Sequence, residues 1–201
     1  MIIKYFGHSY FLVKGEDYSI ALDPFSNVGL SEAVVECDYV FCSHEHFDHN
    51  NKSLAIGAKS VNNNSDIFEI VSTYHDEKLG LLRGNNNVLI FKLDGFKLAF
   101  LGDLGEYANK DLIDKIGGVD ILFVPVGGKY TIDDLGAFEY AVKSNAKTII
   151  PMHYKKGLST IDIKGVEPFL KRFESYKNMP SPYKYGGEQG VVVLSFEGEN
   201  L

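Results

Sequence analysis

The sequence predicts a mixed α/β protein of the α+β kind, with sheets inside and helices covering the outside. Three observations carry this. The first half reads as short strands joined by tight turns, and the second half alternates strand with helix. No linker, solenoid-length repeat or low-complexity tract divides the 201 residues, so one domain spanning 1–201 is expected.

Ile2–Phe6, Tyr10–Val13 and Tyr18–Leu22 are rich in aromatic and β-branched residues and form a meander, with a turn at Gly15-Glu16-Asp17. Tyr39–Cys42 is a further apolar strand. Lys52–Gly57 reads as a short helix capped by Asn50 or Asn51. Ile67–Tyr74 is extended, and Val88–Leu93 and Phe96–Leu101 flank Asp94-Gly95, the signal for a type I′ hairpin. Beyond it the pattern predicts a helix over Glu106–Ile116, a strand over Val119–Val124, a helix over Asp134–Ser144 and a strand over Lys147–Met152. Ile163–Tyr176 is expected to be mostly helix, Pro180–Gly187 an irregular loop and Val191–Phe196 a last strand.

With 45% hydrophobic and 23% charged residues the chain has the composition of a soluble protein. Its apolar start is interrupted by Lys4, Gly7 and His8, and no run is long enough to span a bilayer, so a cytoplasmic protein without membrane association is expected. Cys37 and Cys42 read as buried intracellular thiols. A net charge of −7 and the lack of a basic stripe argue against a nucleic-acid partner and leave a small-molecule substrate. Oligomeric state is not legible.

Three of the six histidines fall within His44-Glu45-His46-Phe47-Asp48-His49. Neighbouring imidazoles repel when protonated and need partners when buried; a metal dication removes both objections. On an extended segment leaving the Tyr39–Cys42 strand, His44 and His46 point to one side and can share an ion, while Asp48 and His49 aim back at a second. The spacing differs from that of a helical His-Glu-x-x-His site, so Glu45 is not expected to be its general base. His75, Asp103 and His153 each follow a predicted strand, where loops gather on one sheet edge. Read singly, each has an ordinary alternative, and Asp103 could merely cap a helix.

His-x-His-x-Asp-His followed by His75, Asp103 and His153 resembles the metallo-β-lactamase superfamily. The resemblance implies a four-layer αββα sandwich holding two divalent metal ions, zinc by default for imidazole-rich donors, with manganese or iron as alternatives. It also implies that His44, His46 and His75 hold the first metal, Asp48, His49 and His153 the second, and that Asp103 bridges them. In the β-lactamases the bridging position is not Asp and a Cys commonly serves the second metal; neither Cys37 nor Cys42 occupies such a place, which argues against antibiotic hydrolysis. Gly7-His8-Ser9, Leu22-Asp23-Pro24-Phe25, the Val126–Thr131 segment and Pro151-Met152-His153-Tyr154 are similar to the branch containing L-ascorbate-6-phosphate lactonase, over Met1 to about Tyr154. Glu45 and Phe47 depart from the small residues usual there.

The expected chemistry is hydrolysis of an ester, lactone or phosphodiester by hydroxide from a metal-acidified water, with Asp48 as the catalytic group that orients the nucleophile or accepts its proton. Two other readings are a di-iron redox protein and a non-catalytic metal-binding or sensing module. His8 is either a substrate contact or a hydrogen-bonding turn residue. Asp23 orders its own loop or supports the histidine loop from behind. Tyr130 offers its phenol to substrate charge or lines the wall.

Overall fold

Asp94 and Gly95 both take positive φ, 52° and 81°, and thereby make the tight turn expected of them. The computed structural model describes residues 1–63, 65–107 and 109–196. Its strands are β1 (Ile2–Gly7), β2 (Tyr10–Lys14), β3 (Ser19–Leu22), β4 (Val35–Glu36), β5 (Tyr39–Phe41), β6 (Ala55–Ile56) and β7 (Lys59–Ser60) in the first part. These are followed by β8 (Phe68–Tyr74), β9 (Asn85–Leu93), β10 (Phe96–Phe100), β11 (Ile121–Pro125), β12 (Thr148–Met152), β13 (Tyr176–Met179), β14 (Tyr183–Lys184) and β15 (Gly190–Leu194). The helices are α1 (Lys110–Ile116), α2 (Asp134–Lys143) and α3 (Glu167–Leu170), with a single 3-10 turn at Lys52–Leu54.

One sheet has the order β14-β1-β2-β3-β5-β7 and the other β13-β15-β12-β11-β10-β9-β8; β4 and β6 pair separately. The central strands of the first sheet, β1, β2, β3 and β5, are buried on both faces, and strand alternation sorts their side chains. Ile3, Tyr5, Phe11, Val13, Ile20, Leu22 and Phe41 face the second sheet, while Phe6, Tyr10, Leu12, Ala21 and Val40 join an outer cluster with Phe25, Val28 and Leu54. Phe11 and Phe41 meet Phe100 edge-on across the interface, and Phe11 lies 4.9 Å from the ring centroid of Phe123. Leu112 and Ile116 of α1, and Ala137 and Tyr140 of α2, cover the far face of the second sheet. Four layers result as expected, with the described helices over the second sheet and with loops, the β4–β6 pair and the 3-10 turn over the first.

Several boundaries depart from the sequence reading. The expected Glu106–Ile116 helix begins at Lys110, because Asn109 caps Leu112 N–H at 3.0 Å and the Glu106 carboxylate instead accepts from Tyr74 N–H at 2.9 Å; residue 108 lies outside the described residues. The expected Lys52–Gly57 helix is one 3-10 turn that passes directly into β6. Ile163–Tyr176 holds only α3, four residues with Pro168 in the first turn, and Tyr176 opens a strand paired with β15. Within Pro180–Gly187, Tyr183 and Lys184 pair antiparallel with Ile3 and Ile2, so that segment is not wholly irregular. Cys37 is buried, Cys42 half-buried, and both are free thiols. No helix among the described residues is long and apolar enough to cross a membrane.

Candidate metal centre

The carboxyl ends of strands from both sheets deliver polar side chains to one edge. His8 follows β1, Asp23 follows β3, the His44–His49 loop follows β5, His75 follows β8, Asp103 follows β10 and His153 follows β12. His8, Asp23 and His153 take left-handed φ of 52°, 45° and 52°, turning the chain sharply just past their strands; strained backbone of this kind gathers at functional sites. Gly102 permits the close approach of β10 to the histidine loop, since a Cβ there would lie 2.4 Å from Ser43 Cβ.

The segment after β5 is not extended as expected. It bends from Ser43 and closes a turn in which His49 N–H donates to His46 O at 2.9 Å. The rings converge nonetheless, His44 and His46 at 4.5 Å between centroids and His44 and His75 at 4.6 Å.

Three donor groups result, the atoms of each within 4.8 Å of one another: His44, His46 and His75; His8, Asp48, His49 and His153; and His44, His49 and Asp103. Asp103 is the hub. Its Oδ2 lies 3.2 Å from His49 Nε2, 3.2 Å from His75 Nε2 and 3.1 Å from His153 Nε2. All seven expected ligand positions are thus brought together. His8 joins them, its Nε2 3.2 Å from His49 Nε2 and 3.3 Å from Asp48 Oδ2, which makes it a potential donor beyond either role read from the sequence.

Hydrogen bonds behind the rings fix which nitrogen faces inward. Asp23, fully buried, accepts from Ser43 N–H at 2.6 Å, from Ser43 Oγ–H at 2.6 Å and from His49 Nδ1 at 2.8 Å. Because the Ser43 hydroxyl donates to Asp23, it is left to accept from His44 Nδ1 at 2.9 Å. One carboxylate therefore sets the tautomers of two histidines, His44 of the first group and His49 of the second, which meet with Asp103 in the third. His75 Nδ1 donates to Tyr130 O at 3.1 Å, and Asp103 is held by its N–H on Asn86 Oδ1 at 2.9 Å. Neither Ser43 nor Asn86 carried a signal in the sequence beyond standing next to a ligand or ahead of a hairpin.

The charge pattern follows. Burial, then His49, pushes His44 down to about 2, and burial with His153 pushes His8 down to about 4. Burial also opposes charge on His49, but Asp103 and Asp23 outweigh it and hold its pKa well above the ordinary value; His75 is raised the same way by Asp103. Burial disfavours the Asp103 carboxylate, yet His153 and His49 keep it well below the ordinary range. Asp48 is lowered by its hydrogen bond to His8 against a similar burial penalty. His44 Nε2 and Asp103 Oδ1 are buried without a hydrogen-bond partner. Orphaned lone pairs on neutral imidazole and carboxylate, aimed at common points, are the donor set of a divalent cation, so the residues present fit the metals the sequence implied.

The centre opens into a cleft of about 500 Å³ lined by His46, Phe47, Asp48, His75, Asp103, His153, Arg83, Tyr130 and the Thr160–Asp162 segment. Tyr130 and Asp48 line it; His8 and Asp23 are buried and do not. Arg83 was not singled out from the sequence.

The chain matches the beta-lactamase superfamily domain over residues 2–153. It is 27% identical to a metal-dependent hydrolase of Thermococcus kodakarensis over 235 aligned positions, covering 99% of this chain and 98% of the relative. A metal-dependent hydrolase of Carboxydothermus hydrogenoformans is 27% identical over 191 positions, 77% of this chain and 84% of that one. Among solved structures, a metallo-beta-lactamase superfamily protein from Thermotoga maritima superposes with a TM-score of 0.78 at 34% identity, covering 98% of this chain and 99% of that one.

Proposed function

The chain belongs to the beta-lactamase superfamily, and from that premise we propose that it is a metal-dependent hydrolase with a dinuclear centre, acting on an ester, lactone or phosphodiester bond of a small molecule. One observation carries the reading: Asp103 Oδ2 lies within 3.2 Å of His75 in one donor cluster and of His49 and His153 in the other, and both clusters border the same cleft. His44, His46 and His75 would hold the first metal, and Asp48, His49 and His153 the second with His8 beside them, with Asp103 shared by the two sets of histidines. An imidazole-rich donor set favours zinc, with manganese or iron as substitutes where carboxylates share the shell. Divalent cations bound there would supply water acidified toward a pKa of ~7 and compensation for developing negative charge.

The protein's own groups do the rest. Asp48, kept ionised beside His8, borders the cleft and is placed to orient a nucleophilic water or accept its proton. Asp23 keeps His49 and, through Ser43, His44 in the tautomers that present Nε2. Phe47 and Ile161 supply apolar wall, which lowers the local dielectric around the reacting groups. The free thiols of Cys37 and Cys42 support a cytoplasmic location.

The test is a panel of p-nitrophenyl acetate, a simple γ-lactone and bis(p-nitrophenyl) phosphate, assayed on chelated protein and after reconstitution with zinc, manganese or iron. Turnover of at least one class, lost on chelation and restored by metal, is the expected result. Protein that binds metal at this centre yet turns over none of the three classes would overturn the reading.

A further inference from the structure

We propose that the substrate carries an anionic group remote from the bond that is broken, and that Arg83 binds this group at the mouth of the metal cleft. The inference rests on the hydrolase reading above and adds the class of substrate.

The chain is acidic and has only two arginines, Arg83 and Arg172. Arg172 is spent on structure, its Nε 2.7 Å from Asp134 Oδ2. Arg83 instead lines the cleft, half-buried, together with His46, His75 and Asp103. The charges around it are already committed. Asp48 and Asp103 belong to the metal donor groups, and Asp162 is ion-paired with Lys129. Among the described residues, no carboxylate lies within ion-pair distance of Arg83, so its charge is the cleft's uncommitted one.

The guanidinium is also held in place. Its carbon sits 5.6 Å from the centroid of the Tyr130 ring, and Nη2 donates to Lys129 O at 3.2 Å. Tyr130 is the residue whose carbonyl oxygen fixes His75, so one residue orients a metal ligand and carries the arginine. The loop that presents Arg83 is organised by Asp76, next in sequence to His75. Its carboxylate accepts four backbone N–H groups, from Lys78 at 2.9 Å and Gly80 at 3.1 Å on Oδ1, and from Leu82 at 3.0 Å and Arg83 itself at 2.8 Å on Oδ2. An arginine set over a ring and tethered at its own backbone loses little freedom on binding. Its planar fork matches a phosphate or a carboxylate with two parallel hydrogen bonds, and several of its donors remain for that purpose.

The test uses the zinc-reconstituted full chain as wild type, Arg83→Gln and Arg83→Lys, with thermal unfolding confirming that the three fold alike. Two measurements are made. One compares kcat and KM for p-nitrophenyl acetate and for mono-p-nitrophenyl glutarate, matched esters without and with a remote carboxylate. The other titrates glycerol 1-phosphate and glutarate calorimetrically. We expect Arg83→Gln to raise KM for the anionic ester about tenfold, leaving its kcat and the neutral ester unchanged, with partial recovery in Arg83→Lys. The same substitution should weaken anion binding about tenfold, and whichever anion wild type binds more tightly identifies the group as phosphate or carboxylate. Equal effects on both esters, no effect on either, or anion binding that ignores the substitution would overturn the proposal. If no ester is turned over, the hydrolase reading suffers while calorimetry still decides the role of Arg83.

Discussion

The two donor clusters are built from the same side chain in different settings. The His44, His46 and His75 cluster has an exposed member in His46 and no carboxylate of its own. The His8, Asp48, His49 and His153 cluster has three buried imidazoles, an ionised Asp48, and Asp23 buried behind His49. A buried, preorganised set with a carboxylate gains more on binding a cation than a half-open set of imidazoles without one, which must order His46 first. On the dinuclear reading proposed above, the inner cluster would be the tighter metal site, and the outer one the site whose occupancy governs turnover.

The largest break in this contrast is Asp103→Ala. Removing the hub leaves His49, His75 and His153 without their shared carboxylate, and both clusters should lose metal together, with turnover falling below detection; elemental analysis beside the assay checks it. The next pair sharpens the contrast. Asp23→Asn disturbs His49 directly and His44 through Ser43, so affinity should fall about 10–100-fold at both clusters. Ser43→Ala removes the hydroxyl behind His44 and one of the donors to Asp23 but leaves the Asp23–His49 bond, so the loss should fall mainly on the outer metal and come to about tenfold or less, read by competition with a metallochromic chelator.

The smallest effect is in the protons. In the metal-free protein His49 and His75 have raised pKa values, whereas His44 is already neutral, with a pKa of about 2. A raised pKa means that the proton is retained to higher pH, so metal must displace it, and apparent affinity should fall as pH drops through and below those values. Calorimetry in two buffers of different ionisation enthalpy should register proton release on loading. Loading without release would contradict the charge pattern derived for the centre.

What the sequence made legible was what chemistry and local rules encode. Asp94-Gly95 announces its own turn, and three histidines in six residues announce a metal. What it hid depends on register. Asp23 reaches Ser43 because β3 and β5 run parallel with Leu22 opposite Phe41, and Asp23 N–H continues the ladder to Phe41 O at 2.9 Å. No local pattern states that pairing. His8 reads as a substrate contact or a turn residue, and not as a neighbour of His49, because β1 lies far from the histidine loop in sequence and the folding of the first sheet brings them together. The Ile163–Tyr176 helix failed for the reverse reason. Its apolar spacing satisfies a helix, but pairing of Tyr176–Met179 with Val191–Leu194 outweighs that local preference. Arg83 escaped notice because its place is set by the Asp76 loop and the Tyr130 ring, neither of which carries a motif.

The central claim is that two unequal metal sites share one carboxylate. Its most direct test is metal content by elemental analysis of zinc-reconstituted wild type and His46→Ala after passage over a desalting column. The account predicts about two equivalents in wild type and about one, still firmly held, in His46→Ala, with turnover reduced by roughly 10³-fold. A single equivalent in wild type that His46→Ala leaves unchanged would contradict it.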